Sequence, residues 1–595
     1  DKWIRTGVHN GSYTWNYVEL EKGKWRIDPW ADEAISDCVR AGVNVIMGLD
    51  VSMGNWRYMD QPHKLNWREA RYREINNNYE DQPGIAFQNP EMWEGFLRYV
   101  DYMVRIFKGR VYIWEVGNEW NVCFPPERYM EAFKDVYEVI KRVDPQARIM
   151  LGQTAGGMLY EDLLTCLGES WETGVRDGRL PVSHDTLLMA DNSKIGNAKL
   201  SVDASNLREA NEGLYGFVLR YNSNDDFLAA LYSRMRKSIY FADPRSDKLG
   251  NKFCESIAAV DVGELGNDVH LEAQIEDNKV TLIISDGKQT FSTQHIFEES
   301  NFTGPYGIFF NRTRPNQNGS GQAFDNFQIT DAQGKTILNE TFEGSEGSTP
   351  SGLRYVYGGE NPVKPVWGAK IDAVGWHSEG QDMEYVNTVK KLKAKCEGLG
   401  FKGRYYVSEI GPSRGWLYPP GDHQTEMQYA KIQLKKLLCN NGMDMQAGPC
   451  HPHFTGFHHD QPLTRLTWPS QTLTALNAGA PYYAWRNYAT AMDDFYAREI
   501  PVSFTGQDRL MVFTFESGDK DQVLIGAWFT GNIVDGILDF KTDLTLPRVS
   551  AKKAWGIDIF NGTEQELVLT QKPGEAKIEG LFIKDYPTLI RIKRK

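Results

Sequence analysis

The chain lacks the features that would tie it to a membrane, a nucleic acid or a disulfide framework. No apolar run approaches the roughly 20 residues that a membrane-spanning helix needs. Positive charge is in short supply: 66 Lys and Arg stand against 79 Asp and Glu, and the net charge of −13 repels a phosphate backbone. Cysteine is sparse and scattered. Cys38, Cys123, Cys166, Cys254, Cys396, Cys439 and Cys450 make an odd set with no CxxC pair, which excludes a disulfide scaffold and a zinc ribbon and predicts mostly buried thiols. No signal-peptide pattern is visible at the start of the chain.

What is present is length and strand-ending carboxylates. At 595 residues the chain exceeds a single core, and about three domains are expected. The organising stretch is Val111-Tyr-Ile-Trp-Glu-Val-Gly-Asn-Glu-Trp120. Val111 to Val116 reads as a short buried strand, and it runs out into Asn118, Glu119 and Trp120. A second stretch, Tyr405-Tyr-Val-Ser-Glu-Ile-Gly411, is another apolar strand with Glu409 near its end. Two carboxylates at the exits of two parallel strands are the pair that glycoside hydrolysis requires. One protonates the leaving oxygen; the other attacks the anomeric carbon or activates water.

On these residues the chain resembles clan A of the glycoside hydrolases, the retaining (β/α)8-barrel enzymes. In that clan an Asn-Glu pair ends strand four and carries the acid/base, and a Glu ending strand seven is the nucleophile. Asn118-Glu119 and Glu409 match those two motifs. The resemblance implies that Glu119 is the acid/base, Glu409 the nucleophile, and Asn118 a ligand of the sugar's 2-hydroxyl. In family 39 of the clan an Arg and a His close together end strand two; Arg5 and His9 resemble them at a wider spacing. Strand six of the clan often ends in a His or Tyr beside the nucleophile, the place that Trp376 and His377 take. Trp120, Trp376 and Trp416 are the candidates for stacking on a sugar ring, with core packing the alternative for each.

The order of patterns supports a barrel that is interrupted. Strand, helix and strand alternate through a first strand at Trp3–His9, a helix over 29–41 with Ala34, Ile35, Cys38 and Val39 on one face, a strand over 42–48, helices over 90–108 and 126–143, and a strand over 148–152. From about Arg176 to Lys364 the pattern turns to short β segments, among them 213–221, 257–262, 269–273, 280–284, 307–310 and 324–329. The run from Glu272 to Val280, the turn between Gly304 and Gly307, and Phe324-Asp-Asn-Phe327 resemble concanavalin-like jelly rolls. The barrel resumes at Ile371–His377, with a helix over 383–399, the Glu409 strand, a helix over 425–440 and an eighth strand at Met443–Ala447. After Pro501, segments at 510–515, 523–527, 537–540, 566–569 and 588–592 predict a terminal antiparallel sandwich. Taking 176–364 out of the path from Glu119 to Glu409 leaves about 100 residues, which suits three βα units of roughly 30 residues each.

The expectation is therefore an α/β chain. Its (β/α)8 TIM barrel is built from 1–175 and 365–500, interrupted by a β-sandwich at 176–364 and followed by an antiparallel β-sandwich at 501–595. One count does not close. Three strands at most precede Glu119, its own included, where the clan has four, so a βα unit is expected upstream of residue 1 or within 51–89. The implied partner is a carbohydrate, with no nucleic acid, no membrane span, no cofactor and no metal, and the implied location is periplasmic or secreted. Two alternatives differ in class. His451, His453, His458, His459 and Asp460 within ten residues could hold a divalent ion for a metal-dependent hydrolase, although the spacing is no helical HExxH. Such a loop more often contacts substrate, and His451 and His453 are expected at the rim of the pocket with Trp416. A non-catalytic glycan-binding protein is the other alternative.

Overall fold

The computed structural model describes residues 3–7, 12–51, 90–122, 126–154, 160–171, 174–182, 186–191, 193–207, 213–223, 226–234, 236–243, 256–298, 305–312, 322–344, 347–377, 380, 382–410, 425–449, 464–466, 475–530, 533–572 and 574–595. They form a mixed α/β protein in two compact units, Asp1–Asp372 with Cys396–Lys402, and Ala373–Lys395 with Gly403–Lys595.

In the first unit four strands, Trp3–Thr6, Asn44–Leu49, Ile113–Asn118 and Ile149–Gln153, lie side by side in chain order and are all parallel. Three connecting helices, Pro29–Arg40, Pro90–Phe107 and Pro126–Val143, each open on proline. Its fixed φ suits the first turn, where the missing N–H costs nothing. Each also carries Arg or Lys in its last turn, favourable to the helix dipole. Pro90–Phe107 buries Met92, Trp93, Phe96, Tyr99, Val100, Met103, Val104 and Phe107, the stripe expected from a 3.6-residue period. The face of Pro29–Arg40 is corrected: Ala31 and Ile35 are buried, Ala34 and Cys38 are half-buried, and Val39 is exposed, because the helix seats through its first turns. The helical turn Trp15–Val18 and the hairpin of Glu19–Glu21 with Lys24–Trp25, which no pattern announced, complete the segment before it.

The antiparallel part of this unit is two facing sheets. One runs, in spatial order, Ile257–Asp261, Ser238–Ala242, Asp226–Ser233, Gly213–Ser223, Gly307–Arg312, Thr186–Ala190 and Leu353–Tyr357. The other runs Thr290–Ile296, Lys279–Ser285, Val269–Glu276, Ala198–Ser205, Ala323–Asp331 and Thr336–Glu340, with Leu180–Pro181 beside Ala323–Asp331. Leu188, Phe217, Leu228 and Ala230 from the first sheet share a core with Leu200, Leu271, Leu282 and Ile329 from the second. The first sheet buries its other face as well, through Leu187, Leu214, Val218, Phe227, Leu231 and Phe309. Its strands are therefore continuous apolar runs instead of alternating ones. That is why Thr186–Ala190, Asp226–Ser233 and Ser238–Ala242 escape a search for alternation. Beyond this sandwich the chain returns to the parallel strands: Asp372 N–H donates to Ile149 O, and Ile149 N–H to Asp372 Oδ2, both at 2.8 Å.

In the second unit Ala373–Gly375, Arg404–Ile410 and Gln446–Pro449 are parallel neighbours in that order. Helix Met383–Gly398 falls between the first two strands in the chain, and Glu426–Gly442 between the last two. The latter is held at its start by a reciprocal cap between Thr425 and Gln428. Its end corrects the expected eighth strand. Met443 N–H and Met445 N–H both bond Asn440 O, and Asp444 turns left-handed at φ 55°, so Met443–Met445 closes the helix and the strand starts only at Gln446.

The C-terminal sheets are also two. Phe495–Ala497, Leu510–Ser517, Gln522–Phe529, Thr588–Arg594, Ala551–Asp558 and Thr563–Glu566 face Ser503–Phe504, Asp539–Pro547, Glu575–Lys584 and Leu569–Lys572 across one apolar core. The predicted strand at 566–569 is two strands of different sheets. Leu567 N–H bonds Ala554 O as the chain crosses between them, and Val568 is left 87% exposed. Among the described cysteines Cys166, Cys396 and Cys439 are buried free thiols, and Cys38 is half-buried. Among the described residues no helix is long and apolar enough to cross a membrane.

Candidate active site

The C-terminal ends of the first unit's parallel strands are where polar groups gather. Asp50 follows Leu49, Asn118 ends its strand with Glu119 next, and Gln153 ends the fourth strand with Thr154 next; of these only Glu119 is more than slightly exposed. Polar side chains buried at one end of parallel strands are costly unless they are hydrogen-bonded, and such ends are where α/β folds keep their chemistry.

Backbone geometry singles out Glu119. Gly117 takes φ 85° and Glu119 takes φ 45°, a left-handed conformation that a residue with a Cβ adopts at a cost. The surroundings hold it there. Gly152 on the adjacent strand comes so close that a Cβ on it would stand 2.2 Å from both Val116 O and Gly117 O. Gly152 N–H donates to Tyr129 Oη at 2.9 Å, and Tyr129 Oη donates in turn to Val116 O. Trp120 Nε1 donates to Gly152 O at 2.7 Å, while the Trp120 and Tyr129 rings stack with centroids 4.1 Å apart. Burial raises the Tyr129 phenol well above its ordinary range, so it remains a neutral donor. Two buried rings thus clamp the strand end from which Glu119 projects.

Arg5 organises the other side. From the first strand it reaches the third by passing the second, where Gly48, the register partner of Glu115, has no side chain to block it. Arg5 Nε donates to Glu115 Oε2 at 2.5 Å, and Nη2 donates to Glu115 Oε1 at 2.7 Å and to Asn118 Oδ1 at 2.6 Å. The Glu115 side chain is 0% exposed and that of Arg5 9%, so this is a desolvated, forked ion pair with the amide attached.

Of the predicted residues, Arg5, Asn118, Glu119 and Trp120 are therefore brought together. Trp120 is corrected: at 0% exposure, with its ring against Tyr129, it supports the strand end from behind and offers no face to a sugar. In the second unit Glu409 lies within strand Arg404–Ile410. Trp376 and His377 follow the Ala373–Gly375 strand and are 1% and 7% exposed. Trp376 is enclosed too, its ring edge-on to Tyr405, so it also packs instead of presenting a platform. His9, Trp416, His451, His453 and the rest of the histidine loop to Asp460 lie outside the described residues. Among the described residues no group of three or more His, Cys, Asp or Glu is placed to hold a metal ion.

Sequence reasoning passed over Glu115, Tyr129, Asp50 and Gln153. The signal for Glu115 was available: a carboxylate between Trp114 and Val116 in the middle of an apolar strand must find a cation. Tyr129 carried none, since a Tyr on the apolar face of a helix reads as packing.

No protein-family model matches the sequence, and no curated protein matches it. Among solved structures, the chain is similar to a family 39 glycoside hydrolase. That enzyme comes from the gut symbiont Bacteroides cellulosilyticus WH2; identity is 12%, the match covers 100% of this chain and 75% of the other, and the TM-score is 0.42. A bifunctional glucanase-xylanase from a metagenome library is similar at 10% identity over 100% and 93% of the two chains, with a TM-score of 0.40. A glucosidase from Croceicoccus marinus is similar at 9% identity over 100% and 90%, with a TM-score of 0.39.

Proposed function

We propose that the chain is a retaining glycoside hydrolase acting on a poly- or oligosaccharide outside the cytoplasm, in the periplasm or secreted. In this reading 1–175 and 365–500 make one (β/α)8 barrel, the sandwich at 176–364 is inserted in it, and 501–595 is a terminal sandwich. Glu119 is the acid/base and Glu409 the nucleophile. Asn118 bonds the 2-hydroxyl of the sugar, and Arg5, His9, His377 and Trp416 line the pocket, with the His451–His453 loop at its rim.

The observation that carries the reading is the strand end at Glu119. A carboxylate follows directly on an amide committed to a buried arginine, at the C-terminal end of a parallel strand, on a left-handed backbone that neighbouring side chains hold in place. Retention of configuration requires the Glu119 and Glu409 carboxyl groups to stand about 5–5.5 Å apart, too close for the water that an inverting enzyme admits. Glu119 protonates the leaving oxygen while Glu409 attacks the anomeric carbon. Glu119 then takes a proton from water as that water breaks the glycosyl ester.

The test is stereochemical. A panel of aryl glycosides and of plant and microbial polysaccharides is screened for turnover. The first-formed sugar is then followed by proton NMR before mutarotation. Retained configuration is expected; an inverted first product removes Glu409 from the nucleophile's role.

A further inference from the structure

We infer that Glu115, a residue to which the proposed mechanism gives no task, is a positioning residue that acts through Arg5 to fix the amide of Asn118. The inference rests on the reading of Asn118 as the ligand of the sugar's 2-hydroxyl. It adds the device that makes that amide specific.

The geometry is a relay across three strands. Glu115 holds two nitrogens of Arg5, Nε at 2.5 Å and Nη2 at 2.7 Å, so the planar guanidinium cannot rotate about its own axis. The same Nη2 reaches Asn118 Oδ1 at 2.6 Å. An asparagine side chain has one oxygen that accepts and one nitrogen that donates, and the two ends look alike in shape. With a cation against Oδ1, the flipped amide would set its NH2 group against the guanidinium, donor against donor. One orientation survives, and in it the side chain meets a ligand as a donor through Nδ2. A sugar hydroxyl whose oxygen accepts that bond is recognised; a carbon carrying only hydrogen is not. A neutral residue at 115 would take away the charged, two-pronged part of that hold on Arg5.

A purely structural pair would look the same in a static picture, so the test separates positioning from folding. Three proteins are compared with the wild type: Glu115→Gln, Arg5→Lys, and the double replacement Arg5→Met with Glu115→Leu, which removes both buried charges together. Each is assayed on an aryl glycoside found in the panel screen and on its 2-deoxy counterpart, with thermal unfolding recorded beside activity.

We expect Glu115→Gln to lower kcat on the 2-hydroxy substrate about 10- to 100-fold with little change in KM, because bonds to that hydroxyl strengthen in the transition state. The 2-deoxy substrate should lose less than about 3-fold, having no such bond to lose. Arg5→Lys should also lose more on the 2-hydroxy substrate than on the 2-deoxy one, since an ammonium makes no fork, although its own place in the pocket lowers both. The double variant should unfold at or near the wild-type temperature yet keep the kcat defect on the 2-hydroxy substrate.

Equal losses on the two substrates, or a double variant whose kcat recovers along with its stability, would overturn the inference. A wild type inert on every glycoside refutes the glycosidase reading instead, and the relay is then judged by neutron crystallography of Glu115→Gln, in which the deuterons of the amide nitrogen are seen. Asn118 should turn its amide or occupy two orientations there. An amide that stays single and unturned without the carboxylate overturns the relay whatever the activity.

Discussion

The two glutamate-bearing strands are spelled alike, yet the protein supports them by different means. Ile113–Asn118 ends before its glutamate, and Glu119 sits one residue beyond on a left-handed backbone. Its supports are single side chains from neighbouring elements of the first unit: Arg5, Tyr129 and Trp120. Arg404–Ile410 instead carries Glu409 inside the strand, with a register shift against Gln446–Pro449 between Val407 and Ile410. Its support is a whole layer. Helix Glu426–Gly442 packs on both of those strands and, on its other side, against Leu510–Ser517 of the C-terminal sheets. There Leu438 meets Gly526 and Phe513 meets Gly442, each so close that a Cβ on the glycine would collide. A buried ion pair fastens the layer. Lys431 Nζ donates to Asp585 Oδ2 at 2.8 Å and Oδ1 at 3.0 Å, and to Val534 O at 2.9 Å, with both side chains 0% exposed. The C-terminal sheets thus back the Glu409 strand through this helix.

The largest expected effect bears on the two glutamates themselves. Glu409→Gln should cut turnover on the order of 10⁴-fold or more, as loss of a nucleophile does, and azide should not restore it. Glu119→Ala should cost about 10²–10⁴-fold. It should keep slow hydrolysis of substrates with good leaving groups and yield a glycosyl azide of retained configuration when azide is added. The reverse pattern of rescue would exchange the two roles.

Next comes the layer behind the second strand. Asp585→Ala leaves Lys431 charged and buried, and a loss of about 3–5 kcal/mol in urea unfolding is expected. A loss under about 1 kcal/mol, the value of a surface pair, would mean that the helix is not fastened there.

Lys435, one turn further along the same helix and 3% exposed, sharpens the point through pH. Burial drives its ammonium down from 10.5 to about 8, with Lys431 adding to the fall and Asp585 opposing it. Below pH 8 the group is charged in both folded and unfolded chains, and the cost of burying that charge is felt in full. Between about 8 and 10.5 the folded protein sheds the proton before the unfolded chain does, so stability rises with pH. Lys435→Met should therefore stabilise the protein at pH 7 by up to about 3 kcal/mol, and the gain should fade as pH approaches 10.5. A gain that is constant from pH 7 to 10 would trace to packing and not to charge.

The smallest effect is the most specific to the backbone contrast. At position 119 Gly should be more stable than Ala by about 1 kcal/mol, because the left-handed conformation penalises any Cβ. At position 409, inside a strand, the order should invert, with Gly costing about 0.5–1 kcal/mol relative to Ala. Thermal unfolding of the four variants decides it. The same order at both sites would erase the difference between the two strand ends.

By itself the sequence determined the elements whose physics is local. Apolar periodicity over Pro90–Phe107 and Pro126–Val143 and the apolar runs leading to Asn118-Glu119 and Glu409 were enough to place these helices and both glutamate strands, since each signal acts within a few residues. The polar exit at Asn118-Glu119 was legible for the same reason. What only the tertiary structure decided involves partners distant in the chain. That Trp120 turns inward depends on the Gly152 carbonyl; that Glu115 is tolerated in a buried strand depends on Arg5, 110 residues earlier. The strands Thr186–Ala190 and Asp226–Ser233 lack alternation because a second layer covers each face, which no window of one strand can reveal. The segment 566–569 divides between two sheets because Ala554 captures Leu567 at the crossing. Local propensity is written residue by residue. Which buried polar group meets which partner is fixed by packing, where leaving either one unpaired costs more than any local preference can return.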